Sequence, residues 1–297
     1  MKTPVFTGTA TAIVTPFEDD GRTVDYKSFA NLVEFQIEQG INAIVVAGTS
    51  GEGSTLSDAE HRELLKFAVQ QVAGRVPVIA GTGSNDTAYA VDLSIYACAV
   101  GCDALLLVTP YYNKATQEGL YQSFTEIANA VSKPCILYNV PSRTGCNLLP
   151  ATVARLAEHP NIYGIKEASG NISQIAEVAR LCKDKIAVYS GNDDQIVPIM
   201  SLGGIGVISV LSNVLPKETV EMTDAMLSGD YVKARDLQLR YLPLVDSLFC
   251  EVNPIPVKAA VAAMGYCKNI VRLPLTSMTK PNEDKMLEIM REHGIHC

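Results

Sequence analysis

The chain contains no tryptophan, only four histidines, and 6% aromatic residues in all. His61, His159, His293 and His296 form no HExxH pair. Only the tail His293-Gly294-Ile295-His296-Cys297 has a loose metal-like spacing, and chain ends are commonly mobile, so a mechanism with no metal and no cofactor is expected. None of the eight cysteines lies in a CxxC pair; most sit in apolar surroundings, and Cys135 and Cys182 read as core residues rather than half-disulfides. No apolar run approaches the ~18 residues of a membrane-spanning helix. The opening Met1-Lys2-Thr3-Pro4-Val5-Phe6 has no apolar stretch of signal-peptide length, so a cytoplasmic protein is expected. Acidic residues outnumber basic ones 32 to 24, for a formal net charge of -8. That balance argues against broad nucleic-acid binding. It still admits an anionic small substrate, provided the site supplies local positive charge.

What the chain does contain is apolar and regularly spaced. Of its 297 residues 47% are hydrophobic, which excludes a disordered chain. Eight short, near-continuously apolar runs recur: Thr9–Val14, Ile41–Ala47, Val76–Ala80, Asp103–Val108, Cys135–Tyr138, Ile162–Lys166, Ile186–Tyr189 and Ile205–Val210. Such runs suit parallel strands buried on both faces. Amphipathic segments lie between them. Asp25–Gln39 puts Tyr26, Phe29, Leu32, Val33 and Ile37 on one face, and Ser57-Asp58-Ala59-Glu60 reads as a capping box. Asn171–Cys182 repeats the helical spacing, and Pro216 suits a first helical turn. Eight strand–helix units predict an α/β fold, a closed (β/α)8 TIM barrel, with an open doubly wound sheet as the alternative. The barrel is expected over 1–229. Residues 230–297 read as a C-terminal helical appendix with helices at Asp230–Phe249, Pro254–Met264 and Asn282–Glu292, too short for an independent domain.

In such a barrel the chemistry sits where the strands end. Lys166 closes the sixth run, at the rim of a buried core. An amine withdrawn from water loses its proton more readily, and a neutral amine attacks carbonyls to form Schiff bases. The alternative is an ion pair with Glu167, although adjacent strand residues face opposite sides. Lys258 is a rival in an apolar setting, where a structural or snorkelling role is expected. Tyr138 ends the neighbouring strand; its phenol can relay protons or be an ordinary buried tyrosine. Thr49 and Ser50, in the turn Gly48-Thr49-Ser50-Gly51-Glu52-Gly53, offer hydroxyls and amides to a small carboxylate, or simply hold the turn. Arg143, in a Pro/Gly-bounded loop, can fork onto a second carboxylate or form a surface ion pair. Asp193 and Asp194 read as helix caps after the seventh strand rather than metal ligands.

Three motifs then combine: Gly48-Thr49-Ser50-Gly51-Glu52, Tyr138-Asn139-Val140-Pro141-Ser142-Arg143-Thr144-Gly145 and Gly164-Ile165-Lys166-Glu167, each after a strand. Together with Asn253-Pro254-Ile255-Pro256-Val257-Lys258 they resemble the pyruvate-dependent class I aldolases of the N-acetylneuraminate lyase family over essentially the whole chain. Within that family they resemble the branch that joins pyruvate to L-aspartate 4-semialdehyde in lysine and diaminopimelate biosynthesis. The resemblance implies a lyase in which Lys166 forms the Schiff base, and Thr49, Tyr138 and Tyr112 form a proton relay. Tyr112 is expected to reach in from a neighbouring subunit of a homotetramer built from two tight dimers. It further implies that Thr49, Ser50, Gly191 and the backbone near Ile208 hold pyruvate, and that Arg143 holds the aldehyde's carboxylate. Ser50 stands where this branch usually has threonine, so sibling sugar-acid aldolases stay open, as does a non-catalytic barrel. A lysine-binding pocket at the dimer interface maps to Asp58, His61, Asn85, Tyr89 and Tyr111. Tyr89 falls where the family's inhibited members place a glutamate, so weak or absent inhibition by lysine is expected.

Overall fold

The computed structural model describes residues 2–297. Eight parallel strands close into a barrel in sequence order: β1 (Gly8–Ala12), β2 (Ala43–Val46), β3 (Val78–Gly81), β4 (Ala104–Val108), β5 (Cys135–Asn139), β6 (Ile162–Glu167), β7 (Ala187–Ser190) and β8 (Gly206–Ser209), with β8 pairing back onto β1. Each falls within or beside one of the eight apolar runs, and the open-sheet alternative is excluded by that closing pair.

Alternation along the strands separates two cores. Ile44 and Val46 of β2 face the surrounding helices, while Ala43 and Val45 point into the barrel. The inward set is small where strands crowd, with Ala10, Ala12, Ala43, Ala104 and Ala187, so the interior fills without strain. Phe6 and Tyr189 stack across this interior at 4.4 Å, and the Tyr189 hydroxyl donates to the Phe6 carbonyl at 2.8 Å. Gly164 admits that ring: a Cβ there would lie 3.1 Å from Tyr189.

The helices follow from their spacing. Tyr26–Glu38 starts at Asp25, whose carboxylate accepts from the Ser28 amide, and buries Phe29, Leu32 and Val33. Each such side chain contributes roughly 1.5–3 kcal/mol of burial. The Ser57–Glu60 capping box forms in full at the head of Asp58–Val72. Cys135 and Cys182 are core residues as expected. The C-terminal helices are Tyr231–Leu248, Ile255–Ala263 and Lys280–Glu292, the last beginning two residues before its expected start at Asn282 because Thr279 and Pro281 already set a first turn. No helix among the described residues is long and apolar enough to cross a membrane.

Candidate active site

A cavity of about 590 Å³ opens where the strands end. Its wall includes Thr49 and Ser50 after β2, Tyr138 in β5, Arg143 beyond it, Lys166 in β6 and Gly191 after β7. Strand register brings the centre together: Lys166 lies opposite Tyr138 on one side and Tyr189 on the other. Lys166 and Tyr138 are both buried, and the Lys166 Nζ sits over the Tyr138 ring, 4.2 Å from its centroid. An ammonium there gains from that π face, and no carboxylate among the described residues bonds it.

Glu167 does not pair with Lys166. It points outward, where it accepts from Asn139 Nδ2 at 2.9 Å and Ser169 Oγ at 2.7 Å. Burial pushes its carboxyl above the usual range, with no cation to oppose it. Gly191 makes room for the lysine: a Cβ there would lie 3.0 Å from Lys166 Cε and 2.8 Å from Ala168 Cβ.

The Thr49–Ser50 turn is held by Glu52 N–H donating to Thr49 O and Gly53 N–H to Gly48 O. Gly53 is obligatory, since a Cβ there would fall 2.2 Å from the Ala47 carbonyl. Arg143 lies in the short helix Pro141–Thr144, which replaces the expected loop because Pro141 starts it and Gly145, at φ 66, ends it. Among the described residues the ion-paired arginines are Arg62, Arg75, Arg155, Arg180, Arg235 and Arg272; Arg143 is not among them and is exposed at the cavity wall.

Some residues lie elsewhere than the motifs suggest. Ile208 is buried in the barrel wall, and Val210 rather than Ile208 lines the cavity. Tyr111 lines the cavity, whereas Tyr112 is 90% exposed and outside this chain's cavity wall, where a role in a neighbouring subunit would leave it. Its backbone is left-handed at φ 72, a conformation that costs a bulky residue energy and is seen at functional loops. Asp193 caps a different element from the one expected. Its Oδ2 accepts from the amides of Val210 and Leu211, both at 2.9 Å, so it caps the turn after β8 rather than the helix after β7. Lys258 does not snorkel. It is fully buried and bonded to Glu52.

The wall also has residues that the motifs did not mark as site residues. Phe249, Val252, Asn253 and Pro254 reach the cavity from the C-terminal region, and Asn253 Nδ2 donates to Ser50 Oγ at 3.1 Å. The sequence signal there was the stretch Asn253-Pro254-Ile255-Pro256-Val257-Lys258, which carries part of the family resemblance but was given no site role.

Of the five positions expected to form a lysine pocket, His61, Tyr89 and Tyr111 line the same cavity, while Asp58 and Asn85 do not. His61 Nε2 donates to the Gly81 carbonyl at 3.0 Å, and burial lowers its pKa, which favours the neutral ring. Asp58 is held by Arg62 Nε at 2.8 and 3.0 Å, and Arg62 also reaches Asp92.

An inward amine at the mouth of a (β/α)8 barrel, facing hydroxyls and an unpaired arginine, is the equipment of a class I aldolase-type lyase. The chain belongs to the dihydrodipicolinate synthetase family, whose profile matches residues 5–293. It is 54% identical to the 4-hydroxy-tetrahydrodipicolinate synthase of Caldicellulosiruptor saccharolyticus, over 99% of each chain. The crystal structure of dihydrodipicolinate synthase from Acinetobacter baumannii, complexed with pyruvate, superimposes with a TM-score of 0.95 at 46% identity, covering 97% of this chain and 99% of that one. The enzyme from Cyanidioschyzon merolae, crystallised with lysine bound, gives a TM-score of 0.95 at 40% identity, covering 98% and 99%.

Proposed function

We propose that this protein is a 4-hydroxy-tetrahydrodipicolinate synthase that condenses pyruvate with L-aspartate 4-semialdehyde through a Schiff base on Lys166. The observation that carries the reading is the Lys166 amine, buried at the cavity wall against Tyr138 with no carboxylate bonded to it. Nζ attacks the keto carbon of pyruvate, and water leaves as the imine forms. Loss of a methyl proton gives an enamine, whose carbon attacks the aldehyde. The product's own amine then closes the ring and releases Lys166.

Thr49, Tyr138 and Tyr112 move the protons in this reading. Thr49, Ser50 and the space left by Gly191 take pyruvate, together with the backbone near Ile208, and Arg143 takes the second carboxylate. Tyr112 is exposed on one chain, so it serves a second copy; the working unit is a homotetramer of two tight dimers, in the cytoplasm. Residues 1–229 supply the barrel, and 230–297 complete its wall.

Borohydride reduction in the presence of pyruvate, followed by peptide mapping, tests the assignment. A pyruvate adduct on Lys166 is expected, and an adduct on Lys258 overturns it. Mixing Lys166→Ala with Tyr112→Phe subunits should restore activity in mixed dimers if Tyr112 crosses the interface.

The same reading extends to regulation. Tyr89 carries no charge at neutral pH, and burial raises its pKa further. Asp58 is bonded to Arg62 and lies outside the cavity wall, so neither holds a lysine ammonium there. Inhibition by L-lysine is therefore weak or absent; strong inhibition at sub-millimolar lysine in a titration at saturating pyruvate overturns this. Tyr89→Glu should confer sensitivity.

A further inference from the structure

The turn assigned to pyruvate is clamped from the C-terminal helices by a buried ion pair that the chemistry itself does not use. Lys258, in the helix Ile255–Ala263, is fully buried and bonds Glu52, the residue three places beyond Thr49. Its Nζ also donates to the Thr15 carbonyl at 2.6 Å and lies 4.1 Å from the Phe17 ring centroid. Thr15 passes the constraint on, since its hydroxyl donates to the Gly51 carbonyl at 2.7 Å. The other Glu52 oxygen accepts from the Arg272 amide at 2.9 Å, and the Thr55 hydroxyl holds the Glu52 carbonyl at 3.1 Å. Both ends of the turn are left-handed at non-glycine residues, Ala47 at φ 55 and Glu52 at φ 51. A strained turn persists only where its surroundings over-determine it, and here the two contacts to the Glu52 carboxylate come from Lys258 and Arg272, more than two hundred positions away.

We propose that Glu52 and Lys258 are positioning residues for pyruvate, holding the Thr49–Ser50 turn in the conformation that receives its carboxylate. This rests on the assignment of the pyruvate site above. A role confined to stability makes a different prediction from a positioning role. Loss of stability lowers the amount of active enzyme and leaves KM alone. Loss of positioning raises KM for pyruvate while leaving KM for the aldehyde, which Arg143 holds, nearly unchanged.

The test uses the full-length protein and the charge-free double variant Glu52→Gln/Lys258→Met, which strands no buried charge. Glu52→Asp, which keeps the charge and shortens the arm, is measured beside it in case the double variant does not fold. Borohydride trapping on the unaltered enzyme is done first, so that failure of the site assignment is seen separately. An adduct away from Lys166 overturns the pyruvate site and this role with it. With the adduct on Lys166, KM for pyruvate is expected to rise by at least about tenfold in either folded variant, with KM for the aldehyde within about twofold. A pyruvate KM unchanged within about twofold, or equal rises for both substrates, overturns the positioning role and leaves Lys166 in place.

Discussion

Lys166 and Lys258 are both buried, and each amine faces an aromatic ring, 4.2 Å from the Tyr138 centroid in one case and 4.1 Å from Phe17 in the other. They differ in what lies opposite. Lys258 meets a carboxylate and a carbonyl and has no open space before it; Lys166 meets a cavity. Burial holds the Lys258 pKa below the ordinary lysine value, and Glu52 opposes that pull. Its protons are committed to fixed acceptors, which makes it a fastening. Burial of a lysine is thus a poor marker of reactivity by itself; what sets Lys166 apart is that no carboxylate among the described residues bonds its amine, although the buried Asp193 carboxylate acts on it through space, and that open volume lies in front of it, which suits the nucleophile proposed for it.

The comparison is broken most directly by removing each lysine in turn. Lys166→Ala should lower kcat/KM by at least about 10⁴-fold and abolish pyruvate trapping, because the covalent step has no substitute. Its melting temperature should stay close to that of the parent. A variant that keeps trapping pyruvate transfers the nucleophile to another amine.

Lys258→Met should do the reverse in stability. It strands Glu52 in an apolar site, at a cost of about 3–5 kcal/mol by denaturant titration. The double variant with Glu52→Gln should recover most of that loss. Failure to recover shows that the bond to Thr15 O, rather than the charge pair, dominates.

How far the sequence revealed these two roles depended on the range of the interactions. The eight strands were legible because parallel strands buried on both faces leave continuous apolar runs, and the inward aim of Lys166 follows from its place at a strand end opposite Glu167. The Ser57 cap was legible because its partner is three residues away. The Glu52–Lys258 pair and the Asn253–Ser50 bond span 206 and 203 residues and carry no periodic signal. Lys258 looked free to snorkel only because its partner could not be seen. The same is true of Asp193, whose partners Val210 and Leu211 belong to the next strand's turn. Tyr112 is a stronger case, since the role proposed for it needs a second copy of the chain.

Arg143 sharpens the comparison from the substrate side, being a cation whose counter-charge is expected to arrive with the substrate. Arg143→Ala should cost about 1.5–3 kcal/mol in binding of the aldehyde, read as a rise in its KM, with little change for pyruvate. Equal losses for both substrates mean that Arg143 holds the Pro141–Thr144 helix instead.

The smallest effect lies in how the two surroundings respond to pH. Around Lys258 the carboxylates are paired: Arg272 grips Glu60 at 2.6 and 3.0 Å and, with Ser57, pulls its pKa from 4.5 to about 2. A depressed carboxyl contributes stability that is present above its unfolded pKa and lost as pH falls through the folded one, here between about 4.5 and 2. Behind Lys166 the opposite holds. Glu167 has its pKa raised by burial, so its contribution is fully present below the unfolded pKa and is lost as pH rises through the folded value. Glu60→Gln should therefore be less stable than the parent by about 1–2 kcal/mol at pH 7, allowing for partial exposure, and the gap should close toward pH 2. Glu167→Gln should gain on the parent as pH rises, because the amide has no charge to bury. Melting temperatures of both variants against the parent between pH 2 and 8 give two slopes of opposite sign. Slopes of the same sign mean that the carboxylate behind Lys166 is paired after all, and that the contrast between the two lysines is one of access alone.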